Sequence, residues 1–97
     1  MSLKERDSKP DLYVAARILK TLKENNAMKR TALATSCDLA YNRLVKYLEW
    51  MSEKGFVEID EEGFVHLTSR GEEAYDRLVK WILEYIGRLK ILIPMNA

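Results

Sequence analysis

Residues 29 to 68, KRTALATSCDLAYNRLVKYLEWMSEKGFVEIDEEGFVHLT, place four things in succession: a short helical run, a tight turn, a longer amphipathic run closed by Gly55, and two β-prone runs joined at Glu62-Gly63. Each piece alone is common. Their order and spacing together narrow the choice to a helix-turn-helix followed by a hairpin. In 97 residues this leaves room for one small domain, which buries a smaller share of its surface than a larger protein and often relies on a partner.

The flanks complete the pattern. Pro10 and Asp11 suit a helix start, and Leu12, Ala15, Ile18, Leu19 and Leu22 then fall on one face, which predicts a first helix over 11 to 25. Asn25 and Asn26 suit its end, and residues 27 to 29 add a short strand. The helical piece over 30 to 36 is too short to stand alone and must pack through Leu33. From Leu39 onward Leu44, Leu48 and Met51 recur at helical spacing, with Asn42, Arg43, Lys46, Glu49 and Glu53 between them. Phe56, Val57 and Ile59 begin a strand whose partner is Phe64, Val65 and Leu67, across Asp60-Glu61-Glu62-Gly63. The fold class this predicts is α+β and mostly helical: a winged helix-turn-helix with a β-hairpin wing and a long C-terminal helix.

Thr68 or Ser69 can cap that last helix, with Ser69 and Glu72 at capping-box spacing, and Pro94 stops it after about 25 residues. Tyr75, Leu78, Ile82, Tyr85, Leu89 and Leu92 follow the alternating steps of three and four that mark a coiled-coil seam. Ala74, Trp81, Ile86 and Ile93 form a second apolar row beside it. At about 1.5 Å per residue the helix is a rod about 37 Å long, more than so small a domain can cover. The surplus predicts a homodimer, with Tyr75, Leu78, Trp81, Ile82, Tyr85, Leu89 and Leu92 at the interface. The alternative is that the helix folds back over the first one and uses both rows internally. The domain organisation expected is a flexible leader over 1 to 10, a winged helix-turn-helix over 11 to 68, and a dimerisation helix and tail over 69 to 97.

Composition excludes several classes. With 47% hydrophobic and 32% charged residues the chain has the makeup of an ordinary folded domain and not of a disordered one. Cys37 is the only cysteine, so an intrachain disulfide and a thiolate zinc site are both ruled out. Residues 1 to 11 carry charge where an export signal needs an apolar run, and residues 81 to 93 are too short and too charged to span a bilayer. A cytoplasmic location with no membrane contact is expected. No phosphate-binding glycine loop, metal-spaced pair or nucleophile motif is present, so no enzyme activity, metal or cofactor is expected, and no small-molecule effector can be read out. The net charge of +1 is uninformative about nucleic acid, so the case must come from where the charges sit.

The chain resembles archaeal winged-helix DNA-binding proteins whose C-terminal helix pairs as an antiparallel coiled coil in a dimer. The residues that carry the resemblance are Arg30-Thr31, Leu39-Ala40-Tyr41, Lys46-Tyr47-Leu48, Lys54-Gly55-Phe56-Val57 and Leu67-Thr68-Ser69-Arg70-Gly71-Glu72. It implies that the third helix enters the major groove of double-stranded DNA through Tyr41, Asn42, Arg43 and Lys46, while Lys29, Arg30 and Thr31 hold the backbone. The chemistry suits those roles. Arg pairs bidentately with guanine, Asn with adenine, and Tyr or Thr donates to phosphate oxygens. From 29 to 47 there are four cations, Lys29, Arg30, Arg43 and Lys46, against Asp38 alone, which concentrates positive charge on the motif.

Two positions depart from the family pattern. Ala40 stands where relatives carry a capping Ser, so the recognition-helix cap comes from Asp38 or is missing, at a cost of about 1 kcal/mol. The wing tip carries Asp60, Glu61 and Glu62, which repel phosphates. Such a wing points away from the duplex, discriminates among binding modes, or signals a protein-interaction module in which the winged helix is only a scaffold. The bland readings of the remaining polar singletons are a surface or partly buried His66, and a small packing role for Cys37, whose one basic neighbour in sequence is Arg30.

Overall fold

A computed structural model describes the backbone of residues 10–92 and the side chains of residues 10–86. Helix α1, Leu12–Asn25, begins where Pro10 and Asp11 place it. The Asp11 carboxylate accepts from the amides of Tyr13 and Val14 at 2.9 and 3.4 Å, which satisfies two of the donors that a helix start leaves open. Val14, Ala15, Ile18, Leu19 and Leu22 are buried. Ile18 and Leu19 are almost wholly covered, a burial worth about 1.5–3 kcal/mol each.

Strand β1, Met28–Lys29, leads into α2, Arg30–Ser36, and α3, Tyr41–Glu53. The seven-residue α2 holds its place through Leu33, fully buried, and Ala34, so its stability is tertiary, as its length requires. The turn after it ends α2 in a Schellman arrangement. The Leu39 amide donates to the Ala34 carbonyl at 2.9 Å and the Asp38 amide to Thr35 at 3.1 Å, with Asp38 in the left-handed region at φ 57°. The same motif closes α3, where Phe56 donates to Met51 at 2.8 Å and Gly55 to Ser52 at 3.0 Å. Gly55 takes φ 79° there, which a residue with a Cβ adopts only under strain.

Strands β2, Val57–Ile59, and β3, Phe64–Leu67, form the hairpin, and β1 adds on the far side of β3, giving the antiparallel order β1-β3-β2. Met28 faces Val65, Val57 faces Leu67, and Glu58 faces His66. The core lies between α1, α2, α3 and the inner face of this sheet, where Leu44, Met51 and Val65 are fully buried. No charged or polar residue is buried among the described residues. The described residues form a mostly helical winged helix-turn-helix with a small antiparallel sheet, the architecture that the order of elements predicts.

Helix α4, Ser69–Leu92, is capped by Thr68 and not by Ser69: the Thr68 hydroxyl accepts from the Gly71 amide at 3.0 Å. The same hydroxyl donates to the Gly55 carbonyl at 2.6 Å, and the Thr68 amide donates to Phe56 at 3.1 Å. The end of α3 and the start of α4 are thereby joined. Gly71 is required at this joint, because a Cβ there would run into the Phe56 carbonyl oxygen.

The apolar rows of α4 divide along its length. Ala74, Tyr75 and Leu78 pack against the domain's own core, and Lys23 of α1 reaches Asp76 at 3.6 Å and lies over the Tyr75 ring at 5.6 Å. Ile82 is half-buried. Beyond that stretch Trp81, Leu83 and Tyr85 are 52%, 63% and 47% exposed, with Trp81 and Tyr85 stacked at 5.5 Å between centroids. The side chains of Leu89 and Leu92, the leader over 1 to 9 and the tail from 93 lie outside the described residues. Among the described residues no helix is long and apolar enough to cross a membrane.

Candidate nucleic-acid interface

Of the seven positions singled out in the sequence, three lie at the start of α2 and four on the first two turns of α3. Tyr41, Asn42, Arg43 and Lys46 are all exposed on the first two turns of α3, with Tyr41 45% exposed. Lys29 and Thr31 are exposed at the start of α2, and Arg30 is half-buried beside them. Two of the cations are held by rings. The Arg43 guanidinium lies 5.9 Å from the centre of the Tyr47 ring one turn along its own helix, and the Lys29 ammonium lies 5.1 Å from the centre of the Phe64 ring across the sheet. Each contact narrows where the charge can point.

Charge along α3 changes sign midway. Asn42, Lys46, Glu49 and Glu53 follow one another down the exposed face in steps of four, three and four, so the first half is basic and the second acidic. Arg30, Val45, Leu48, Glu49, Ser52, Glu53 and Ile59 line a shallow groove of about 390 Å³ between α2, α3 and β2. Arg30 therefore shares this groove with the two carboxylates of the acidic half of α3.

Three long-range contacts, through Tyr47, Arg17 and Cys37, tie the helix-turn-helix to α1. Tyr47 is buried, and its hydroxyl accepts from the Asp11 amide at 2.8 Å, tying α3 to the start of α1. Arg17 donates through Nη1 to the Cys37 carbonyl at 3.0 Å and so fastens α1 to the turn between α2 and α3. The Cys37 thiol, fully buried, lies 3.5 Å from the Thr21 hydroxyl. Burial pushes that thiol upward from its usual value, against smaller lowering effects of Thr21 and Arg17, so it stays protonated at neutral pH. These ties span 16 to 36 residues of chain, and no local pattern encodes them.

Asp38 does not cap the recognition helix. It occupies the left-handed position of the turn, and Ala40 stands at the N-cap of α3 with no side-chain hydrogen bond. The start of α2, with Lys29 at its N-cap, likewise lacks a side-chain cap. Neither helix start, then, has a side-chain acceptor on its first amides.

The wing is acidic but internally ordered. Asp60 Oδ1 accepts from the amides of Glu62 and Phe64, each at 2.9 Å, and Oδ2 lies 2.8 Å from Nε2 of His66. The His66 contact first, then the two amides, hold the Asp60 carboxyl below its ordinary value. Glu61 and Glu62 are exposed, and Gly63 at φ 92° closes the turn through its amide to the Asp60 carbonyl at 3.0 Å. His66 is an exposed strand residue, and no cluster of metal-ligating side chains occurs among the described residues.

Comparison with known proteins agrees with this geometry. A family model described as winged helix-turn-helix matches residues 9–85. Among solved structures, a MarR family transcriptional regulator from Silicibacter pomeroyi DSS-3 is 26% identical with a TM-score of 0.63, over 82% of this chain and 60% of that protein. The structure of ligand-free NadR is 21% identical with a TM-score of 0.65, over 94% of this chain and 68% of the other. A transcriptional regulator of the MarR family from Silicibacter pomeroyi is 19% identical with a TM-score of 0.61, over 86% and 73% of the two chains. The last two speak to fold alone, and the chain spans 60% of the length of the first. A search of curated protein sequences gives no significant match.

Proposed function

Since the chain belongs to the winged helix-turn-helix family, we propose that it binds double-stranded DNA as a homodimeric transcription regulator or small chromatin-associated protein. The observation that carries the reading is the charge pattern of α3: Asn42, Arg43 and Lys46 lie exposed on its first two turns, fronted by amides that no side chain caps. In this reading those turns enter the major groove. Arg43, steadied by the Tyr47 ring, offers a fork that matches the two acceptors of guanine, and Asn42 can pair with adenine. Lys29, Thr31, Tyr41 and the uncapped first amides of α3 meet phosphates, where N–H groups and cations gain most. Arg30 joins them from the edge of the groove.

The acidic half of α3 and the wing then face away from the strands and set how far the helix can tilt into the groove. The outer part of α4 supplies the second copy. Trp81, Tyr85 and Ile86 leave an exposed apolar stripe that Leu89 and Leu92 continue in sequence, and such a patch favours association. Tyr75 and Leu78 contribute less, because they already pack on the chain's own core. A two-fold dimer presents two recognition helices to a site with matching symmetry.

The acidic wing and the carboxylates along the second half of α3 favour the competing reading, a protein-interaction module without DNA contact. Replacing Arg43 and Lys46 together by Ala separates the two. On the DNA reading duplex affinity falls by about a hundredfold at unchanged stability, about 1–3 kcal/mol for each lost contact. Unchanged affinity removes the major-groove model. A monomeric mass by light scattering at micromolar concentration removes the dimer.

A further inference from the structure

The wing sets an imidazole against a carboxylate inside a cluster of like charges. His66 is the only histidine in the chain, and histidine alone among side chains ordinarily titrates between about pH 5 and 8. It lies in β3, exposed, with Nε2 2.8 Å from Asp60 Oδ2. Asp60 cannot easily turn away, because its other oxygen is committed to the amides of Glu62 and Phe64.

The surrounding charges are mostly negative. Glu58 stands directly across from His66 on β2, and Glu61 and Glu62 complete the turn. Lys23 of α1 and Glu72 of α4 share a shallow hollow with His66, together with Asn26 and Ala27, which carry no charge. Lys23 is engaged with Asp76 and the Tyr75 ring. The hairpin thus carries four carboxylates, Glu58, Asp60, Glu61 and Glu62, around one imidazole.

We propose that His66 is a proton-operated control of the wing: gaining a proton reduces the negative charge of the hairpin and tightens the protein's hold on DNA. The inference rests on the DNA-binding reading. With His66 neutral, the hairpin repels the phosphate backbone through all four carboxylates. Proton uptake at the imidazole converts the contact with Asp60 into an ion pair and cancels one of those charges. Nothing in the hairpin has to move, since the Asp60 contact is already made.

Charge-locked variants test this. Binding of a labelled duplex is followed by fluorescence anisotropy from about pH 7.5 to about pH 5.5 at fixed salt, for the wild type, His66→Gln and His66→Arg. We expect wild-type affinity to rise about threefold to tenfold as pH falls, with a steeper dependence on salt at the acid end. His66→Gln should stay flat at the neutral-pH affinity and His66→Arg flat at the acid-pH affinity. A wild-type profile that is flat while binding persists, or a His66→Gln profile that rises like the wild type, overturns the inference and leaves DNA binding standing. Absence of duplex binding by all three proteins at every pH and low salt overturns the DNA reading itself and the inference with it. The wild-type pH profile needs no variant, so a flat one overturns the inference even if a substitution disturbs the hairpin.

Discussion

The helices that frame this domain and the helices of its helix-turn-helix begin in different ways. Helix α1 has the Asp11 carboxylate on its first amides, and α4 has the Thr68 hydroxyl on the Gly71 amide. The helices α2 and α3 begin at Lys29 and Ala40, whose side chains accept from none of their amides. Both nevertheless end in satisfied Schellman turns, so the omission is confined to their starts. An uncapped start costs about 1 kcal/mol. The frame uses side chains to close its own hydrogen bonds, while the helix-turn-helix starts without them, and the proposed DNA contact would use the donors left over. Open amides beside cations are what a phosphate needs.

Substitutions at the helix starts can break or sharpen that contrast. The largest effect is expected at the joint of the frame: Gly71→Ala forces a Cβ into the Phe56 carbonyl and should cost about 3 kcal/mol in urea unfolding. Thr68→Ala removes both the cap of α4 and the bond to Gly55 and should cost about 2 kcal/mol, against about 1 kcal/mol for Asp11→Ala, which loses a cap alone. Ala40→Asp should act in the opposite sense on stability, adding about 1 kcal/mol by supplying the missing cap, and should weaken duplex binding about fivefold or more. A gain in stability with no loss of affinity would separate the open amides from DNA. Asp38→Gly relieves a left-handed aspartate and should stabilise by about 0.5 kcal/mol with little change in binding.

The smallest effect concerns pH. Folding raises the Cys37 thiol above its ordinary value of 9.0, so the stabilisation is complete below about pH 9 and is lost as pH rises through the folded value. At neutral pH a thiol reagent should therefore react only as fast as the domain opens. Reaction with the folded protein at the rate of a free thiol would contradict the burial. Asp60 runs the other way: its folded value is lowered, so its contribution to the hairpin holds above about pH 4 and fades as pH falls through the lower folded value.

Much of this was legible in the chain because it depends on neighbours. Spacing of apolar residues places α1 and α3, the Glu62-Gly63 turn places the hairpin, and Gly55 marks the end of α3. Side-chain roles at single positions were less legible. Asp38 is an acceptable N-cap and an acceptable left-handed residue, and only the turn geometry, through the bonds of Leu39 to Ala34 and Asp38 to Thr35, selects the second. The three-four rhythm of Tyr75, Leu78, Ile82 and Tyr85 could equally serve a partner or the same chain. The first two pack inward and Tyr85 faces out, a division that follows from where α1 lies. Arg17 on the Cys37 carbonyl and Tyr47 on the Asp11 amide leave no periodic trace, because each joins segments far apart in sequence. The reversal of charge from Lys46 to Glu49 was visible in the sequence, but its meaning depends on both lying on one exposed face.

The most direct test of the central claim is the binding of a labelled random duplex followed by fluorescence anisotropy across a salt series, with the matching single strand as control. Micromolar or tighter duplex binding that weakens steeply as salt rises is expected, because Lys and Arg displace counterions from phosphates. Absence of duplex binding even at low salt, or equal binding to the single strand, would contradict the central claim.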